Sequence, residues 1–377
     1  MALFRRRTRP FALLERRPWR PAPPRARMGS VYEIPAPMLA KAVPGIPDPA
    51  KTPGGLSFEP KWDGFRALIA YDGTGPGGVV IGSRGAKPLT RYFPELVAAF
   101  AELLPGPCLL DGEIVVAHGE PARLSWESLS QRIHPATSRV ELLSRTDPAQ
   151  FIAFDLLATG DRDLQAEPFA ARRAALEELL AAIPHPIHLT RTTTDPGLAR
   201  QWLAQFEGAG LDGVVAKPLD QPYAPGKRTM LKIKHARTAD VVALGYRIHK
   251  SGAGVGSLLV GLYDDGSLNQ VGGVSAFSDA RRLALVDELA PWVETDASGE
   301  AVRGDGERSR FTASDKDTSF VRLRPERVLE VRYDQLEGRR FRHTVQFERW
   351  RPDREPGSCT YDQLEKIAAY DLADVLD

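Results

Sequence analysis

Between residues 31 and 238, apolar positions recur sometimes every second residue and sometimes every third or fourth, so strands mixed with helices are expected. The spacing predicts helices over 169–183 and 197–207, with Asp195 near the start of the second and Gly208 and Gly210 past its end. After Asp240 the pattern changes. Residues 241–248 read as a strand, and 257–263 with 268–274 as a hairpin around Asp264-Asp265-Gly266-Ser267. A helix is expected over 279–289 with Ser278 as N-cap, followed by strands over 328–333 and 343–350. Residues 294–317 are polar and contain glycine, and read as a flexible loop. Five or so strands interrupted by one helix fit a small β-barrel. No internal repeat is visible.

Composition narrows the class. The chain has 377 residues, long for one domain and comfortable for two. Its hydrophobic content of 42% is ordinary for a soluble protein, and no apolar run is long enough for a membrane helix. Cys108 and Cys359 lie far apart and suggest neither a disulfide framework nor a zinc site. The formal net charge is only +1, yet Lys227, Arg228, Lys232, Lys234, His235 and Arg237 cluster with no acid among them. Such local positive potential draws a nucleic-acid backbone, and net charge averages it away. Residues 1–30 are a separate matter: Arg5, Arg6, Arg7, Arg9, Arg16, Arg17, Arg20, Arg25 and Arg27 stand against one acid, Glu15, among prolines. That segment cannot bury enough apolar surface to offset its ordering entropy, so disorder is expected. It has no apolar core of signal-peptide length, which argues against export.

The candidate chemistry starts in Glu59-Pro60-Lys61-Trp62-Asp63-Gly64-Phe65-Arg66, a K-x-D-G-x-R string. A lysine attacks only when its amine is at least partly deprotonated, which burial or neighbouring cations can arrange. The Asp63-Gly64 step favours a turn that brings Arg66 toward the same pocket, where it could bind a phosphate or a ribose hydroxyl. A Lys-x-Asp-Gly string also occurs as an ordinary surface turn, so the weight comes from three later segments. In 109–116 a strand's period of two puts Asp111 and Glu113 on one face and Leu110, Ile114 and Val116 on the other. Residues 211–217 form a short apolar strand opened by Asp212. In 231–234, Lys232 and Lys234 share one face, where two cations repel unless an anion lies between them.

As an ordered set these segments resemble the ATP-dependent DNA ligases, within the covalent nucleotidyltransferase superfamily. The resemblance runs from about Pro37 to about Asp353. It implies an α+β protein: an adenylation (nucleotidyltransferase) domain of antiparallel sheets and helices over 31–238, then an OB-fold β-barrel over 239–355 and a tail over 356–377. Lys61 matches the lysine that becomes adenylated on attacking ATP. Glu59 matches the reader of the adenine amino group, Arg66 the ribose contact, and Phe154 the aromatic that stacks on adenine. Glu113 matches a carboxylate that touches the ribose and helps hold a metal, and Lys232 and Lys234 match the lysines that grip the α-phosphate. Ser83, Arg84 and Lys87 fall in the segment that meets the 5′-phosphate of DNA. Arg342, Arg349 and Arg351, with Asp353, fall in the terminal motif that orients the β- and γ-phosphates. Alternation in that motif puts Arg349, Arg351 and Asp353 on one face of a strand. The family more often has Glu where this chain has Asp212, and the shorter acid can still bind a hard cation.

The implied cofactors are ATP and Mg2+ (or Mn2+), and the implied partner is nicked duplex DNA, bound by a monomer in the bacterial cytoplasm at the nucleoid. The four-cysteine zinc module of NAD-dependent ligases is not present, and the small single-function LigC-type ligases are the nearest resemblance. Residues 1–30 are either a basic arm for DNA or lie upstream of a true start at Met28, which is favoured because the resemblance begins after them. An RNA ligase and a GTP-using capping enzyme share the lysine signature, although Glu59 and the arginine-rich terminal motif favour the DNA ligase. A non-catalytic nick- or end-binding protein of the same fold is the rival from a different class. Replication, excision repair and end joining all use such enzymes, and a backup repair role is the expectation.

Overall fold

The computed structural model describes residues 32–305 and 318–376. The basic segment 1–30 and most of the second half of the expected loop 294–317 lie outside the described residues.

Two sheets form the N-terminal unit. One has six strands: Ile187–Leu189, Gln150–Thr159, Cys108–Val115, Phe65–Tyr71 and Val79–Ser83 in order, with Arg162–Asp163 added beside Gln150–Thr159. Only the pairing of Ile187–Leu189 with Gln150–Thr159 is parallel. The other sheet has four strands, in the order Leu39–Ala42, Arg228–Ile233, Val214–Pro218 and Leu56–Pro60. The six-stranded sheet is buried on both faces, which explains the unbroken apolar run Ala67-Leu68-Ile69-Ala70. Ala67, Ile69, Leu110 and Phe151 pack with Leu96 and Phe100 of the helix Pro94–Leu103 and Leu176 of the helix Phe169–Leu180. Leu68, Ala70 and Leu109 cluster instead with Met38 and Met230 of the smaller sheet.

The expected helix over 169–183 ends at Leu180. The next runs Pro196–Gln205, and Asp195 caps it by accepting from the Gly197 amide at 2.7 Å.

Seven antiparallel strands form the C-terminal sheet. Its spine, Arg237–Ile248, pairs with Val255–Asp264 along one edge. Along the other edge its first half pairs with Val328–Tyr333 and its second half with Ser319–Arg322, so the sheet curls. The expected hairpin turns through Asp265 and Gly266, both at positive φ, as in a two-residue I′ turn. The helix Asp279–Leu289 has Ser278 as its cap. This is the OB-type arrangement, with one difference from the expected barrel: the curled edges meet at a single bridge, Val274 to Val345, not along a full ladder. Two further differences stand out. Arg303–Asp305, inside the expected loop, is an edge strand on Ser319–Arg322. The last strand covers Gln346–Trp350: His343 and Thr344 form no ladder, and Val345 makes only the bridge to Val274.

The segment expected as a tail is a structural strap. Cys359 and Leu364 belong to the C-terminal core, whereas Leu372 and Val375 are buried with Trp202, Phe206 and Ala209 of the N-terminal unit. The chain thus crosses back over its own domain junction. Leu372→Ala should cost about 2–5 kcal/mol, the range for truncating a buried leucine. An unchanged melting temperature in that variant would show that the strap contributes no packing.

Among the described residues no helix is long and apolar enough to cross a membrane.

Candidate active site

Lys61 lies just past the end of Leu56–Pro60, where its backbone is fixed by that of Asp212 and Gly213. The Lys61 amide donates to Gly213 O at 2.8 Å, and the Asp212 amide donates to Lys61 O at 2.9 Å. Asp63-Gly64 was expected to act as a turn. The glycine is needed for a different reason: a Cβ at Gly64 would sit 2.1 Å from Ile114 O. That close approach presses the lysine loop against the strand carrying Glu113. Gly213 is equally constrained, at φ +129° with a Cβ position 2.0 Å from Ile233 O.

The loop, both sheets and the C-terminal unit line a cavity of about 500 Å³. Lys61, Glu59, Arg66, Glu113, Phe154, Asp212, Lys232, Lys234, Arg84 and Arg342 all line it. All but Arg84, which was expected at the 5′-phosphate of DNA, were expected to bind the nucleotide or a metal, and the structure brings the ten together.

Ion pairs organise the surroundings of Lys61. Lys61 Nζ is 2.5 Å from Asp212 Oδ2, and Lys234 Nζ is 3.0 Å from Asp212 Oδ1. Lys234 is also held at 2.7 Å by Asp334 of the C-terminal unit, which pairs in turn with His343. Lys232 has no carboxylate partner among the described residues; burial, then Lys61 and Lys234, pull its pKa below the usual lysine value. The basic cluster read from sequence is therefore partly neutralised. Arg237 is bound by Glu207 and Glu365, and His235 by Glu207.

Burial pushes the Glu113 carboxyl up to about 7, against the opposing pull of Arg66 and Lys61. A carboxyl raised in this way favours the folded state fully below its unfolded pKa near 4.5, and that contribution is lost as pH rises through about 7. In metal-free buffer, wild type should therefore lose melting temperature relative to Glu113→Gln between about pH 5 and about pH 8. An offset equal at both ends would contradict this.

A second group of contacts surrounds Phe154. Phe154 lies under the Arg66 guanidinium, 4.4 Å from the ring centroid, and Arg66 is fixed by Asp111 through Nε at 2.5 Å and Nη2 at 2.6 Å. Tyr223 donates to the same carboxylate at 2.6 Å. Glu59 is buried and paired with Lys217 at 2.8 Å, while its second oxygen, Oε1, has no hydrogen-bond partner among the described residues.

Ser83, Arg84 and Lys87 form a turn after the strand Val79–Ser83, closed by the Lys87 amide donating to Ser83 Oγ at 2.9 Å. Arg84 sits at the rim of the cavity, and Arg84 and Lys87 are exposed.

The terminal arginines divide. Arg342 is half-buried, paired with Asp63 and stacked 4.6 Å from the Trp126 ring centroid. Arg349 and Arg351 do not line the cavity: Arg349 is held by Glu330 at 2.6 Å, and Arg351 by Asp240 at 3.0 Å and Asp353 at 2.9 Å. The expectation that Arg349, Arg351 and Asp353 share one strand face also fails, since the strand stops at Trp350. Sequence reasoning missed Lys217, Asp111, Tyr223, Trp126 and Asp334 as site residues. A lysine inside the apolar strand Val214–Pro218 was the available signal for the first.

Comparison with known proteins gives the family. The family model for the ATP dependent DNA ligase domain matches residues 37–234, and that for the ATP dependent DNA ligase C terminal region matches 251–354. The chain is 55% identical over 351 residues to DNA ligase C1 of Mycolicibacterium smegmatis, covering 90% of this chain and 97% of that one. It is 52% identical over 359 residues to DNA ligase C of Mycobacterium tuberculosis, covering 90% and 96%. A multifunctional non-homologous end joining protein, LigD of Mycobacterium bovis, is 33% identical over 310 residues, 80% of this chain and 36% of that one. A solved Lig E DNA ligase shares the fold with a TM-score of 0.53 at 18% identity, covering 85% of this chain and 100% of that one. Matched along both units, the chain belongs to the ATP-dependent DNA ligases, in their small LigC-type branch.

Proposed function

We propose that the protein seals nicks in duplex DNA through a covalent adenylate on Lys61, and that it does so in DNA repair. The observation that carries this reading is the meeting of Lys61, Asp212, Lys232 and Lys234 in one cavity with Phe154 and with Glu59, whose Oε1 has no hydrogen-bond partner among the described residues. In the first step Lys61 Nζ attacks the α-phosphorus of ATP and pyrophosphate leaves. The amine must shed a proton for this, and Asp212 Oδ2 at 2.5 Å is placed to take it. Lys232 and Lys234 offset the charge on the phosphoryl oxygens. In the second step AMP passes to the 5′-phosphate at the nick, with Ser83, Arg84 and Lys87 at the rim that meets the DNA backbone. In the third, the neighbouring 3′-hydroxyl attacks that phosphorus and AMP leaves.

Glu113 and Asp212 are the residues that would hold a divalent cation. No group of three or more metal-binding side chains occurs among the described residues. Two carboxylates, with phosphate oxygens and water completing the shell, suit Mg2+. The ion would neutralise charge developing on the transferred phosphoryl group. Arg342 already reaches the cavity, whereas Arg349 and Arg351 could serve the triphosphate only after the C-terminal unit, residues 239–355, swings about its junction near Thr238. A monomer in the cytoplasm, acting at the nucleoid, fits this chemistry. The relation to LigD supports a repair role.

Nicked duplexes with DNA or RNA on either side of the break test the substrate. The DNA nick should be sealed faster than any RNA-containing one. Preferred sealing of RNA, or attachment of GMP in place of AMP, would favour the RNA-ligase or capping readings.

A further inference from the structure

We propose that Lys217 is a positioning residue for base selection, holding Glu59 so that one carboxylate oxygen meets the base purely as an acceptor. The inference rests on the reading above that this cavity binds the base of a nucleoside triphosphate.

Both side chains are deeply buried, Glu59 at 2% exposure and Lys217 at 3%. Lys217 Nζ lies 2.8 Å from Glu59 Oε2 and donates to Phe154 O at 3.0 Å. Its ammonium also lies 4.7 Å from the Phe154 ring centroid and 4.6 Å from that of Phe169. The lysine therefore ties the reading carboxylate to the backbone of the ring against which a base would stack. It occupies one carboxylate oxygen and leaves Oε1 buried without a partner.

A buried acceptor with no donor is costly unless a ligand supplies one. The six-amino group of adenine is such a donor. Guanine and hypoxanthine carry an oxygen there, which would face Oε1 acceptor to acceptor. The arrangement therefore rejects six-oxo purines only while Glu59 stays ionised.

Burial works against ionisation and pushes the Glu59 carboxyl above its ordinary value. Lys217 is the chief opposing influence, followed by Arg173; Asp155 acts the other way but is itself paired with Arg172 at 2.8 Å. Losing Lys217 removes the chief influence that opposes this rise, and a Glu59 that takes up a proton becomes a donor as well as an acceptor. A protonated carboxyl can hydrogen-bond a six-oxo group, so discrimination should collapse.

The test compares self-nucleotidylation of the full-length protein with ATP and with inosine triphosphate. Wild type should prefer ATP by about 10²-fold or more, as sites built around a buried hydrogen bond do. In Lys217→Met that preference should fall at least tenfold, on the order of one lost hydrogen-bond discrimination. What remains should grow with rising pH as Glu59 loses its proton. Lys217→Arg, which keeps a charged donor, should retain the preference. If Lys217→Met slowed both nucleotides by one common factor, or left a pH-independent ratio, the lysine would be merely structural and the proposal overturned.

Should Lys217→Met not fold, Glu59→Gln carries the test with Lys217 intact. Its amide both donates and accepts, so inosine triphosphate should be admitted, and an unchanged ratio would overturn the proposal. Wild type forming no adduct with either nucleotide would instead overturn the underlying reading of the cavity.

Discussion

Lys61→Ala should abolish self-adenylation, by at least about 10⁴-fold as for other lost nucleophiles, while leaving the fold intact. The lysine side chain is 21% exposed, and Asp212 keeps Lys234 at 3.0 Å when Lys61 is gone, so no buried charge is stranded. Lys61→Arg separates charge from chemistry: its guanidinium can still pair with Asp212 but stays protonated and cannot attack. Both variants should bind nicked DNA and melt close to wild type. A labelled adduct in either, at more than trace level, would mean that another residue carries the AMP.

Glu113→Ala and Asp212→Ala should each lower adenylation by about 10²-fold or more, the usual effect of losing one contact to developing charge. The two should fail differently. Glu113 forms no ion pair among the described residues, so its loss should mainly move the midpoint of a magnesium titration. Asp212 holds both Lys61 and Lys234, so its loss should also lower the plateau at saturating magnesium. If both variants gave the wild-type midpoint and plateau, neither residue would be a metal ligand.

Much of this site was legible in the sequence because its parts are short strings with fixed local geometry. Asp111 and Glu113 were readable on one strand face because that strand alternates, and Lys232 and Lys234 for the same reason. The helix Asp279–Leu289 and its Ser278 cap were legible because capping is a local interaction. What was missed depends on contacts distant in sequence. Lys217 ends an apolar run, but its partner is fixed only by the sheet, which sets its strand between Leu56–Pro60 and Arg228–Ile233 with Glu59 across the ladder. Arg303–Asp305 is an exposed edge strand and carries no apolar alternation to reveal it. The strap's few apolar residues, Leu364, Leu372 and Val375, lie too far apart to announce two separate docking sites. Arg349 and Arg351 were assigned to the cavity by motif alone, and their ion pairs with Glu330 and Asp240 hold them elsewhere in this arrangement of the two units.

The covalent intermediate on Lys61 is tested most directly by a pulse and chase. The protein is incubated with α-labelled ATP and magnesium, the adduct is mapped by mass spectrometry, and nicked duplex DNA is then added without further ATP. One AMP should be found on Lys61, and the label should leave the protein as a matching amount of sealed strand and free AMP appears. Label on another residue, or a sealed strand with the Lys61 adduct still in place, would contradict the account.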